Sequence, residues 1–278
     1  MRINTNINSM RTQEYMRQNQ DKMNTSMNRL SSGKRINSAA DDAAGLAIAT
    51  RMRAKENGLG VASRNTQDGI SLIRTADSAL NSVSNILLRM RDLAVQSANG
   101  TNSGDDRAAT QKEFGQLIKQ IDYIADNTAF NGTKLLNNAS GTVSIKTYDD
   151  GSAANIDINL TSVKKDTLTN SAKTKKLEDL SVAQDTDAKT AISAIDDMIK
   201  GIATSRADLG ATLNRLDFNV ANLNSQASSM ASSASQIEDA DMAKEMSEMT
   251  KFKILNEAGI SMLSQANQTP QMVSKLLQ

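Results

Sequence analysis

A run of apolar residues spaced alternately by three and four positions occupies 192–237, a span of 46 positions interrupted at Arg206. This heptad spacing is typical of a long α-helix that packs against other helices along one seam. At 1.5 Å per residue, such a helix would be roughly 70 Å long. Because a chain of 278 residues does not bury so long a rod in one compact core, the pattern requires partner helices of similar length.

The N-terminal half supplies a matching stripe between Ile48 and Ala94. A second stripe repeats every seven residues on an adjacent face and consists of Leu72, Ala79, Ile86 and Leu93. Two stripes indicate that this helix contacts partners on two sides. A third helix is predicted at about 105–126, with Asp105 or Asp106 as its N-cap. The residues predicted to face inward on it are Phe114, Leu117, Ile121 and Ile124. We therefore predict a mainly α fold, a long antiparallel helical bundle or coiled coil of three or more helices.

The apolar period changes from helical to alternating at about 141–162, and Asp149-Asp150 provides turn chemistry in the middle of this segment. This pattern predicts a small β-hairpin that folds onto the bundle. The following residues, 161–176, are basic and polar and are predicted to form an exposed loop.

Both chain ends carry a methionine-rich apolar stripe that has no partner within its own half. Residues 1–100 hold 14 basic and 8 acidic residues, whereas residues 181–278 hold 8 basic and 12 acidic ones. Opposite charge favours pairing between the two ends, although solvated faces of independent helices would give the same pattern. The stripe residues are Ile3, Ile7, Met10, Met16, Met23, Met27 and Leu30 at one end, and Met242, Met246, Met249, Phe252, Leu255, Ile260 and Leu263 at the other. All of them except Met16 and Ile260 are the candidates for a polymerisation interface.

The amino-acid composition excludes most kinds of catalytic and binding site. Without His or Cys the chain cannot form a Ser-His-Asp or Cys-His catalytic site, an imidazole or thiolate metal site, or a disulfide. Aromatic residues at 3% and a net charge of +1 argue against nucleic-acid binding. We predict no enzyme activity, no cofactor and no metal. The start of the chain lacks the apolar run of a signal peptide, and no 18-residue apolar stretch predicts a membrane span.

Several long strings of the sequence are distinctive. They include RINTNI near the start, LSSGKRINSAADDAAGLAIATRMR at 30–53, NTQDGISLIRTADSALNSVSNILLRMRDLAVQSANG at 65–100, and a C-terminal string at 239–277 that contains ANQTPQMVSKLL. These strings closely resemble bacterial flagellin. The resemblance covers both terminal thirds almost continuously. It implies a structural subunit that self-assembles into the bacterial flagellar filament for swimming motility, in a short form without outer variable domains.

The resemblance also implies an organisation and a set of partners. We expect an N-terminal polymerisation helix at 1–32, a core bundle with the hairpin at 33–235, and a C-terminal polymerisation helix at 236–278. The terminal helices are expected to pair only on assembly and to be disordered in the free subunit. The implied partners are other copies of the chain, an export chaperone on the C-terminal region, and the filament cap and hook-junction proteins. The implied location is the extracellular flagellum, reached through the flagellar type III apparatus without a cleaved signal peptide.

Recognition by the host Toll-like flagellin receptor is a further implication. Flagellins sensed by that receptor carry a segment similar to Gln-Arg-Val-Arg-Glu-Leu-Ala-Val, and residues 88–95 here read Leu-Arg-Met-Arg-Asp-Leu-Ala-Val. On this pattern the recognition candidates are Arg89, Asp92 and Leu93. Because Leu93 also belongs to an apolar stripe, a role in the core is the alternative for that residue.

Two other functions fit parts of the sequence. A hook–filament junction protein shares the end helices with flagellin, and an intracellular coiled-coil scaffold would explain the heptads alone. The amount of protein made would distinguish the first from a filament subunit, since a junction protein is made in few copies and a filament subunit in very many. A closed oligomer with ordered ends would indicate the second.

Overall fold

The computed structural model describes residues 6–137, 141–148, 155–169 and 175–276. The elements are α1 (Ile7–Ser32), α2 (Ala43–Ser97), α3 (Gly104–Asn127), β1 (Ala129–Phe130), β2 (Thr133–Lys134), β3 (Gly141–Lys146), β4 (Asn155–Leu160), a short 3-10 helix (Leu177–Asp179), α4 (Asp185–Glu238) and α5 (Met242–Leu276). The predicted mainly α class is confirmed. The chain divides into a core unit, 57–227, and a terminal unit made of 1–56 and 228–278.

In the core unit, α2 and α4 run antiparallel and are joined by a row of polar contacts, which we call the polar ladder. Its contacts are Ser63–Asn224 at 3.1 Å, Thr66–Asn219 at 3.4 Å, Asp77–Arg206 at 2.7 Å and Arg91–Asp196 at 2.6 Å. Residue numbers rise along α2 as they fall along α4, so one alignment of the two helices satisfies every contact. Arg206, which interrupts the heptad seam of α4, is one of these contact residues.

The apolar faces of α2, α3 and α4 form one core. Phe114 and Ile121 of α3 are fully buried, and Leu117 and Ile124 pack against the core from partly buried positions. The inward face predicted for α3 is therefore confirmed.

The predicted N-cap of α3 is wrong. The cap is Ser103, whose hydroxyl accepts a hydrogen bond from the Asp106 backbone N–H at 3.2 Å while Asp106 accepts one from the Ser103 backbone N–H at 3.1 Å. Hydrogen bonds from the Ser103 side chain and then its backbone lower the pKa of Asp106. The two residues predicted as the cap, Asp105 and Asp106, lie instead in the first turn, where they complement the helix dipole.

The predicted hairpin at 141–162 is confirmed by β3 and β4, which pair antiparallel from Gly141↔Leu160 to Lys146↔Asn155. Its predicted turn residues, Asp149-Asp150, lie outside the described residues. Ile145 of the hairpin approaches α2 closely, because a Cβ added at Gly69 would lie 3.0 Å from Ile145 Cγ1.

Two features between α3 and α4 differ from the sequence-based expectation. The segment 161–176 is not a wholly exposed loop, because Val163 and Leu168 are buried in the core. A second small hairpin, β1–β2, turns at Asn131-Gly132, and both residues have positive φ, at 47° and 80°. Asn-Gly is the preferred pair for such a turn, so this dipeptide carried the missed signal.

Candidate assembly surface

In the terminal unit, α1 lies alongside α5. Asn256 donates a side-chain hydrogen bond to Gln20 Oε1 at 2.8 Å, and Asn6 donates one to the Ala266 carbonyl at 2.9 Å. The helices approach so closely that a Cβ added at Gly259 would lie 2.8 Å from Met16 Cγ. The two ends of the chain thus pair within one molecule, as their opposite charges predicted.

The predicted polymerisation residues divide between two faces of this helix pair. Met23, Leu30, Met249, Phe252 and Leu263 are half-buried. The outward-facing set consists of Ile7, Met10, Met27, Met242, Met246 and Leu255, which are 42–62% exposed. Ile3 lies outside the described residues. Pairing of α1 with α5 therefore leaves about half of the terminal apolar residues uncovered.

Ile260, which belongs to the predicted stripe, is exposed as well, and two further exposed apolar residues on α5, Ile254 and Met262, were not predicted. Ile254 and Met262 fall outside the single stripe that the sequence-based prediction followed. A helix with apolar residues on several faces is typically surrounded by protein in its working state. Exposed apolar surface of this extent is uncommon on monomeric proteins and marks an interaction site.

The segments that lead into the terminal helices are bound to each other, and we call residues 33–36 with 237–240 the linker clamp. The Arg35 backbone N–H donates to the Glu238 carbonyl at 2.6 Å, and the Ala240 N–H donates to the Gly33 carbonyl at 2.9 Å. The Arg35 guanidinium donates to the Ile237 carbonyl at 2.9 Å. Gly33 ends α1 in the left-handed conformation, with φ 69°, which favours glycine.

A buried carboxylate stands at the centre of the linker clamp. The Glu238 side chain is 7% exposed, and its Oε2 lies 3.1 Å from Lys34 Nζ and 3.7 Å from an Arg53 guanidinium nitrogen. These contacts are ionic rather than directed hydrogen bonds, since no described residue donates to this oxygen with hydrogen-bonding geometry. A hydrogen bond to Glu56, then the charges of Glu56 and Glu238, raise the pKa of Arg53 and keep it charged.

A second ion pair with a buried carboxylate lies one turn into each terminal helix. Arg29 contacts Glu245 at 3.2 Å, and the Glu245 side chain is 9% exposed whereas that of Arg29 is 28% exposed. Removal of the Arg29 charge would leave the buried Glu245 carboxylate without its partner, which is costly. This pair therefore fixes the alignment of α1 on α5 next to the linker clamp.

The receptor candidates lie on α2 in the core unit and do not share one environment. Arg89 is exposed and forms an ion pair with Glu113 of α3 at 2.7 Å. Asp92 is exposed as well, whereas Leu93 is 1% exposed and lies in the core. Glu113 was not predicted from the sequence. Arg89 and Asp92 are thus accessible, and Leu93 supports the helix that presents them.

No three carboxylates among the described residues are grouped as a metal-binding set. Within the same residues, no helix combines the length and apolar character needed to cross a bilayer.

The bacterial flagellin N-terminal helical region matches residues 3–141, and the bacterial flagellin C-terminal helical region matches residues 192–277. The chain belongs to the flagellin family. It is similar to a flagellin of Listeria innocua, with 51% identity over the whole of this chain and 99% of the relative. It also resembles the flagellar filament 33 kDa core protein of Treponema phagedenis, with 39% identity over the full length of both chains.

Membership of the family confirms the resemblance and identifies a structural filament protein of the extracellular flagellum rather than an enzyme. The fold alone is shared more widely. A solved structure described as a flagellar hook-associated protein from Vibrio parahaemolyticus matches with a TM-score of 0.62 at 17% identity, covering 72% of this chain and all of that chain. Sequence identity to flagellins, not the fold, therefore distinguishes this chain from a hook–filament junction protein.

Proposed function

We propose that copies of this chain add to a swimming filament through the outward-facing apolar residues of the paired helices α1 and α5. The uncovered set on both helices, Met246 among them, carries this proposal because none of the residues that the structure describes covers it. Contacts between different patches of identical copies do not close on themselves and so generate helical filaments.

The proposal includes the condition of the terminal helices before assembly. α1 spans 26 residues and α5 spans 35, and helices that expose this much apolar surface gain little stability from packing alone. We expect both to be disordered in the free subunit and to become ordered as neighbouring copies cover them. An unfolded C-terminal region suits capture by an export chaperone and passage through the type III apparatus. The hook-junction proteins would then hold the first copies, and the filament cap would place the later ones.

Elongation of filament seeds tests the proposal. Purified subunits are added to short seeds, and filament length is followed by electron microscopy. Burial of one methionine contributes about 1.5 kcal/mol, so Met246→Gln should raise the subunit concentration needed for growth roughly tenfold. Ser247→Gln, an exposed polar neighbour on the same helix, is the matched control and should grow like the natural chain. Equal growth of the Met246 variant would contradict the assignment of this surface.

We also propose recognition by the Toll-like flagellin receptor through the exposed Arg89 and Asp92. The Arg89 guanidinium is held by Glu113, and both side chains are about half exposed, so a partner can reach them. Arg89→Ala should reduce receptor activation about tenfold or more, since charged contacts buried in an interface contribute strongly to binding. Filament growth should not change. Lys112→Ala is the matched control, and unchanged signalling by the Arg89 variant would exclude this site.

A further inference from the structure

We propose that Phe218 of one copy docks into a groove between α2 and α4 of a neighbouring copy, where Asp217 of the first copy pairs with Arg74 of the second. The inference rests on the proposed function, because the contact is made only when copies assemble. The contact lies in the core unit and is therefore separate from the exposed apolar residues of α1 and α5.

Phe218 is the most exposed large apolar side chain in the part of the chain that the structure describes, at 78%. The chain has four Phe, and the other three are covered to a greater extent. Phe114 is fully buried, and Phe130 and Phe252 are half-buried. An aromatic ring without a polar group gains free energy when a partner removes it from water. Phe218 is therefore suited to anchor a contact with another molecule.

A groove between α2 and α4, which we call the core groove, offers a matching apolar surface. Its floor consists of Ile73, Leu209 and Leu213, and its exposed rim includes Arg74 and Gly210. Its volume of about 480 Å³ leaves room for an aromatic side chain. Gly210 keeps the rim open on the side of α4, since a Cβ added there would meet nothing within 4 Å outside its own helix backbone.

Phe218 does not occupy the core groove of its own copy, as the exposure of its ring shows. Leu213 is the lining residue nearest to it along α4, and it lies five positions earlier, which is about 7.5 Å along the helix. The ring and the groove are thus different patches of one molecule. Contacts between different patches of identical copies repeat head to tail and extend a filament instead of closing a dimer.

Charge complementarity favours a second copy as the occupant. Asp217 is exposed beside Phe218, and Arg74 is exposed at the rim of the core groove. Among the described residues, neither Asp217 nor Arg74 has an ion-pair or hydrogen-bond partner. The other cation of the groove, Arg206, is already paired with Asp77 at 2.7 Å. Docking of the ring brings the unpaired carboxylate to the unpaired guanidinium, and partial removal of water strengthens their attraction.

Seeded elongation of the full-length chain tests the contact. Phe218→Ser should raise the subunit concentration needed for growth about tenfold, because it removes the ring at a position that the fold does not use. Gly210→Leu should have a similar effect by filling the core groove, while its melting temperature rises because leucine favours a helix more than glycine does. Gly201→Leu, at another exposed and open glycine of α4, is the matched control and should change only the melting temperature.

Exchange of the two charges tests the pairing. Asp217→Arg and Arg74→Asp should each raise the subunit concentration needed for growth about fivefold, because like charges then face each other between copies. The two substitutions together should restore growth to within about twofold of the natural chain, because opposite charges face each other again.

A pair of introduced cysteines tests which residues meet, since the chain has no Cys. The polar ladder aligns Arg74 with Leu209, so Asp217 of the same copy lies about 12 Å away along α4, too far for a disulfide. Asp217→Cys with Arg74→Cys should therefore link copies into chains in oxidised filaments and leave free subunits monomeric. Gly201→Cys with Arg74→Cys, at a similar distance in the other direction, should form no chains.

The inference is overturned if the natural chain extends seeds and Phe218→Ser extends them equally well. It is also overturned if the combined charge exchange fails to restore growth, or if the Asp217→Cys and Arg74→Cys filaments stay unlinked. Each of these results leaves the proposed function intact. Normal growth of Met246→Gln would refute the proposed surface of α1 and α5 alone, and failure of the natural chain to extend seeds would refute both.

Discussion

A chain shortened to residues 45–235 is expected to fold, to remain soluble and to show no elongation of filament seeds. The core unit, 57–227, lies entirely within this fragment and includes α3, both hairpins and the polar ladder. The fragment lacks α1, α5 and the linker clamp. Because each of the six outward-facing predicted residues would contribute about 1.5 kcal/mol on burial, their joint removal exceeds the effect of any single substitution.

Electron microscopy of seeds incubated with the fragment measures this outcome, and circular dichroism on heating verifies that the fragment unfolds cooperatively. The full-length chain taken through the same purification is the control. Seeds that lengthen with the fragment would show that the core unit alone carries the contacts needed for growth.

The second large effect is expected from Leu93→Ala. Leu93 is 1% exposed in the core, and truncation of a buried leucine should lower the free energy of unfolding by about 3 kcal/mol and the melting temperature by roughly 10 °C. Arg89→Ala removes an ion pair between half-exposed side chains, which is worth less than about 1 kcal/mol, so its melting temperature should change little.

Melting curves measured beside receptor activation therefore separate two causes of lost signalling. The Leu93 variant should lose activity in proportion to its unfolded fraction and regain it at lower temperature, whereas the Arg89 variant should remain folded while its receptor activation stays reduced. A Leu93 variant that melts normally but does not signal would place this side chain in direct contact with the receptor.

Helices and the larger hairpin could be predicted because periodicity is a local property of the sequence. The seam at 192–237 lies within α4, and the alternation at 141–162 lies over β3 and β4. The contact made by Arg206 could not be predicted, because its partner Asp77 is 129 positions away. Burial of Val163 and Leu168 was missed for a similar reason, since two apolar residues in a basic segment show no period.

The residues of the candidate assembly surface could largely be predicted, but the sequence did not show which of their side chains face outward. The methionine-rich stripes identified the right helices, but a stripe does not reveal which of its residues the other helix covers. Met249 and Phe252 are half-buried, whereas Met246 and Leu255 remain uncovered. The ion pairs of Glu238 could not be predicted either, since its cationic partners come from segments about 200 positions earlier in the chain.

The polar ladder has a consequence for any long polymer of this chain. Contacts such as Thr66–Asn219 and Asp77–Arg206 fit one alignment, and a shift of α2 along α4 by even one turn would separate them all. Helices joined by apolar contacts alone could settle at several offsets of nearly equal energy. A small offset repeated in every copy would add up along a polymer and distort it. The polar ladder thus acts as an internal length standard in each molecule. Because every copy has the same offset between α2 and α4, small differences in length do not add up along the polymer.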